Sequence, residues 1–86
     1  MSKLSLSLVT PSAEVFCGLV DEVVAPGSEG EFGVLAQHAP FMTILSEGQV
    51  IINNEGNRTV YDIKGGFADV SPQGVVILAE QLQIVR

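Results

Sequence analysis

Leu4-Ser5-Leu6-Ser7-Leu8 alternates apolar and polar side chains without a break until Pro11-Ser12. A period of two places the three leucines on one face of a pleated strand and both hydroxyls on the other, which a helix of 3.6 residues per turn cannot do. The same logic reads a hairpin from Phe67-Ala68-Asp69-Val70, Ser71-Pro72-Gln73-Gly74 and Val75-Val76-Ile77-Leu78-Ala79. Its turn has proline at the second position and glycine at the fourth. Asn53-Asn54-Glu55-Gly56-Asn57 supplies residues that tolerate positive φ, as a second hairpin tip requires. Next to it Thr59 to Ile63 alternates again, with Tyr61 and Ile63 on one side and Val60 on the other.

Nine glycines and four prolines punctuate the 86 residues so evenly that the longest internal run free of both is Asn57 to Lys64. Helices average about 11–12 residues and exclude both types from their interiors, so a helical bundle is ruled out. Strands of about five residues fit the gaps. Val and Ile together supply 18 residues, and β-branched side chains pack well on a pleated surface. The fold class expected is all-β, an antiparallel sandwich or barrel of eight to ten short strands around one core. Val15 to Cys17 and Leu19 to Val24 read as short strands parted by Gly18. Phe41 to Leu45 and Gln49 to Ile52 read as strands joined across Glu47-Gly48. Pro26 to Gly33 is the longest loop candidate.

Ten acids against four bases give a net charge of −6, which repels phosphate backbones, so nucleic acid is not an expected partner. No run of 18 apolar residues is available to cross a bilayer, and the N-terminus lacks a continuous apolar segment with a cleavage site. The single cysteine, Cys17, has no internal disulfide partner, and a reducing compartment is the default. Within its apolar stretch Cys17 reads as a small core hydrophobe.

Catalytic chemistry finds little to work with. The chain has one histidine, His38, and no Ser or Cys placed beside a base. Glu29 with Glu31, or Asp21 with Glu22, reads as loop or edge charge in water rather than as an acid–base pair. Gly27-x-x-Gly30-x-x-Gly33 has a phosphate-loop spacing, but it encloses glutamates, is followed by no lysine and opens no helix. Glu29, Glu31 and His38 match no recognised metal-ligand spacing. No catalytic, cofactor or metal site is expected. His38 reads as a structural histidine or a partner contact.

Pro26-Gly27-Ser28-Glu29-Gly30-Glu31-Phe32-Gly33-Val34-Leu35 followed by His38-Ala39-Pro40 closely resembles the epsilon subunit of F-type ATP synthases, the counterpart of the mitochondrial delta subunit. Leu8-Val9-Thr10-Pro11, Gly48-Gln49-Val50, Gly65-Gly66-Phe67-Ala68-Asp69-Val70 and Val76-Ile77-Leu78-Ala79-Glu80 extend the likeness in order along the chain. Gln37 departs from it, standing where the family commonly has glycine.

The resemblance implies a ten-stranded sandwich of two five-stranded sheets, spanning residues 1–86. It also implies a non-catalytic rotor subunit joining the gamma subunit to the c-subunit ring, in a peripheral complex on the cytoplasmic face of the bacterial inner membrane. By the same likeness Glu29, Glu31, Phe32, His38 and Pro40 are expected to face these partners, Glu31 near polar loops of the ring. The family usually continues past Ala79-Glu80 into a two-helix hairpin that restrains hydrolysis and in some members binds ATP. This sequence ends six residues later, so neither hairpin property is expected of it. The competing class is an acidic β-sandwich carrier of the lipoyl or biotinyl kind. Such a domain presents a lysine at a hairpin tip, and here the only internal lysine is Lys64, before Gly65-Gly66.

Overall fold

The computed structural model describes residues 3–36 and 40–85. Eight strands follow one another: β1 (Leu4–Thr10), β2 (Ala13–Val20), β3 (Glu22–Gly27), β4 (Gly30–Val34), β5 (Phe41–Asn54), β6 (Asn57–Ser71), β7 (Gly74–Ala79) and β8 (Leu82–Ile84). Hydrogen bonds join them in the order β2-β1-β7-β6-β5-β3-β4, with β8 added on β6. All pairs are antiparallel except β1 with β7.

β5 and β6, of 14 and 15 residues, serve two layers each. Phe41 to Leu45 pairs with Gly66 to Val70, and that half of β6 continues the sheet into β7. Glu47 to Asn54 pairs with Asn57 to Lys64, and those halves carry β3 and β8. The ladder skips Ser46 and Gly65, where both strands turn from one layer into the other. Counting the halves separately gives two five-stranded layers, β2-β1-β7-β6-β5 and β8-β6-β5-β3-β4, which is the sandwich expected from the resemblance. Glycines read as strand ends therefore lie inside strands. Gly48 is within β5, Gly18 is within β2, and Gly65-Gly66 bends β6 with φ of 80° and 148°.

The inward face changes phase at this corner. In β6, Tyr61 and Ile63 point inward before it and Ala68 and Val70 after it; in β5, Leu45 gives way to Val50 and Ile52. Because alternation has a period of two, only an irregular residue can make such a change. At Gly66 no side chain fits: a Cβ there would lie 2.1 Å from the Leu78 carbonyl oxygen.

The core between the layers is apolar. Leu4, Leu6 and Leu8 are 2%, 0% and 0% exposed, as their alternation requires, and pack with Val20, Val23, Val34, Ile63, Val70 and Ile77. Among the described residues no polar or charged side chain is buried. Cys17 is not in that core. It is exposed, because β2 buries the phase of Phe16, Gly18 and Val20 and turns Val15, Cys17 and Leu19 outward. Pro26 to Gly33 is also not a loop: it forms the β3–β4 hairpin around Ser28-Glu29.

At one end of the sandwich Lys3 ties β1 to the β5–β6 hairpin. Its ammonium is 3.1 Å from Asp21 and 3.2 Å from Glu55 and also donates to Asn54 Oδ1.

Candidate functional site

Two surfaces merit a functional reading, one expected from the sequence and one not. The first is the β3–β4 hairpin with the segment that leads on to β5. Its tip is fixed to β5 from both sides: the Ser28 amide donates to the Ile44 carbonyl at 2.8 Å, and Ser46 Oγ donates to the Pro26 carbonyl at 3.2 Å. Glu29 is thereby held at the tip, exposed, and Glu31 is exposed on β4 opposite Pro26. β4 ends the strand order, so this acidic segment lies along a sheet edge.

Phe32 takes a different part. It is half-buried against the core and meets Phe41 edge to face, with ring centroids 5.2 Å apart and planes at 78°. This contact fastens the end of β4 to the start of β5 and so brackets the connection between them. Pro40 and Leu35 on either side of that connection are exposed. His38 lies outside the described residues. Lys64 is seated mid-strand, paired with Glu47 and donating its amide to the Gln81 carbonyl at 3.1 Å. It occupies no hairpin tip, which removes the geometry that a carrier lysine needs. Among the described residues no three His, Cys, Asp or Glu side chains converge to hold a metal.

The second surface is the outer face of the β2-β1-β7-β6-β5 layer. The register aligns Ile44 with Phe67, Phe67 with Leu78, and Leu78 with Val9, giving an apolar row across four strands. Ile44, Phe67 and Leu78 are 65%, 36% and 41% exposed. Beside them Met42 and Val76 are exposed, and β2 adds Val15 and Leu19. Exposed apolar residues are ordinary when scattered, but a connected patch over several strands marks an interaction surface. The sequence carried a signal for it. Val75 to Ala79 is apolar at every position, and because successive side chains of a strand point to opposite faces this puts apolar residues on both faces of β7 rather than one.

Comparison with known proteins agrees with this architecture. The β-sandwich domain of the ATP synthase delta/epsilon chain family matches residues 3–84. An ATP synthase epsilon chain of Caulobacter vibrioides is 60% identical over 80 residues, covering 93% of each chain. That of Hyphomonas neptunium is 55% identical over 92% of this chain, which spans 59% of its length. Among solved structures, a chain in the cryo-EM structure of the Euglena gracilis mitochondrial ATP synthase (OSCP/F1/c-ring, rotational state 1) superposes with a TM-score of 0.90. It is 28% identical over 95% of this chain and 53% of its own.

Proposed function

This chain belongs to the ATP synthase delta/epsilon chain family, by its β-sandwich domain, and from that premise we propose that it is a central-stalk subunit of an F-type ATP synthase. In this reading it is a non-catalytic part of the enzyme complex that joins the gamma subunit to the c-ring, so that the two turn together and ion flow is coupled to ATP synthesis. The complex is peripheral to the cytoplasmic face of a bacterial inner membrane. No helix among the described residues is long and apolar enough to span a bilayer.

The observation that carries the reading is the outer face of the β2-β1-β7-β6-β5 layer. Its apolar row suits a protein partner that removes it from water, and burial of such surface is worth about 25 cal/mol per Å² before the costs of association. We assign this face to the gamma subunit. Glu29, Glu31, His38 and Pro40 border the c-ring side, and Phe32, packed on Phe41, holds β4 against the start of β5. A solvated carboxylate such as Glu31 adds about 0–1 kcal/mol and serves mainly to orient the joint. A stiff body suits torque transmission, and a close-packed sandwich with no buried polar side chain among its described residues is one.

The test is reassembly. Adding the chain to its own ATP synthase stripped of this subunit should give stoichiometric retention on gamma with the c-ring and restore ATP-driven proton pumping. Failure to associate with gamma and the ring refutes the reading.

A further inference from the structure

The register sets further rows on the same outer face. Beside the apolar row runs Cys17, Ser7, Val76, Asp69 and Met42, and beyond that Leu19, Ser5 and Gly74, with Ser71 next to Gly74. The face thus grades from hydrocarbon to hydroxyl, and Asp69 is the carboxylate set between its apolar and polar sides. Around Asp69 is a notch of about 230 Å³ lined by Ser5, Ser7, Ser71, Gln73 and Val76. Gly74 forms its floor, where β7 lies so close to β1 that a Cβ would be 2.3 Å from the Ser5 carbonyl oxygen.

We propose that this notch receives one basic side chain, an arginine, from the protein that docks on the apolar face. The inference rests on the docking reading above and specifies what the partner must present. A carboxylate carried into a dry interface loses its hydration, a cost met only by a paired and hydrogen-bonded cation. Among the described residues none is supplied: their salt bridges engage Lys3 with Asp21 and Glu55 and give Asp69 no cation. The partner has to bring the charge.

The notch has the chemistry for a guanidinium. A planar fork can take Asp69 through two N–H groups and still has three N–H donors to place. The hydroxyl oxygens of Ser5, Ser7 and Ser71 and the Gln73 amide oxygen are acceptors within the same notch. A lysine ammonium has three donors and no fork, and fits the set less fully. Fixed at one corner of an otherwise apolar contact, such a pair would set the rotational register of the two proteins, which apolar burial alone does not.

The experiment measures the Kd of the full 86-residue chain for its own gamma–c-ring assembly at low and high salt. It compares the natural sequence with Asp69→Asn and with Leu78→Gln. Asp69→Asn should weaken binding at least about tenfold and flatten the salt dependence. Leu78→Gln should weaken binding with the salt dependence unchanged. If Asp69→Asn binds with natural affinity, or weakens with an unaltered salt dependence, the charge pairing is wrong; the docking reading still stands if Leu78→Gln weakens. If neither substitution weakens binding, the docking reading fails and the proposal with it. Both positions are solvent-exposed, and equal melting temperatures exclude a folding defect. Should Asp69→Asn melt lower, Asp69→Ser provides the same reading.

Discussion

Asp21 and Lys3 show how few polar contacts organise one end of an apolar sandwich. Asp21 accepts the Glu55 amide at 2.7 Å, at the tip where Glu55 itself has a φ of 53°. That amide hydrogen bond and then the Lys3 ammonium hold its carboxyl below the usual carboxylate value. Partial desolvation opposes the charge on Lys3, but its hydrogen bonds to Asp21 and Glu55 and their charges prevail and raise it. The signs give a window. A carboxyl with a lowered pKa stabilises the fold above its unfolded value, and the benefit is lost as pH falls through its folded value. A raised lysine stabilises below its unfolded value, and the benefit is lost as pH rises through its folded value. Asp21→Ala should therefore lower the melting temperature at pH 7. Thermal melts from pH 7 to 2 should also show a shallower acid loss than in the natural chain. A different residue-scale demand falls on Gly66, where a methyl group meets the Leu78 carbonyl at positive φ. Gly66→Ala should cost about 3 kcal/mol or more in urea unfolding, combining backbone strain with overlap.

Elements explain why some sequence expectations met the structure and others did not. The leucines of β1 alternate cleanly and are buried as read, and the hairpin tips at Asn54–Asn57 and Ser71–Gly74 fall where turn chemistry puts them. Cys17 went the other way. Its neighbours Val15, Phe16, Leu19 and Val20 are apolar in both phases, so the sequence of β2 does not say which phase is inward; pairing with Leu8 and Leu4 of β1 decides for Phe16 and Val20. Cys17 should accordingly react with one equivalent of a maleimide in the folded protein, before any denaturant is added. β4 and β5 meet through Phe32 and Phe41, so Phe32→Ala should cost about 2 kcal/mol, roughly half of what emptying a fully buried phenylalanine site costs. Glu31→Gln on the same strand should stay within about 0.5 kcal/mol of the natural stability. Comparing the two by denaturant titration separates support of the segment from contact with a partner.

At the scale of the whole molecule, the two layers enclose one core, yet one of them keeps an apolar outer face. That face is costly in a free chain and useful in an assembly, so stability and association should part there. Ile44→Gln with Leu78→Gln should leave melting within a few degrees of the natural chain while abolishing retention on the gamma–c-ring assembly, read by co-sedimentation with it. The sequence by itself determined the class of fold, because glycine and proline spacing, β-branched content and two-residue alternation act over a few neighbouring residues. It also carried the motifs that give the family, and it supplied Glu29, Glu31 and Pro40, which the folded chain leaves exposed. Tertiary structure alone decided that β5 and β6 pass through both layers, that Cys17 faces outward, and that Ser5, Asp69 and Ser71 border one notch beside an apolar row. Those outcomes depend on register between strands up to about 70 residues apart in the chain, and register is set by which faces bury one another rather than by any local run of residues.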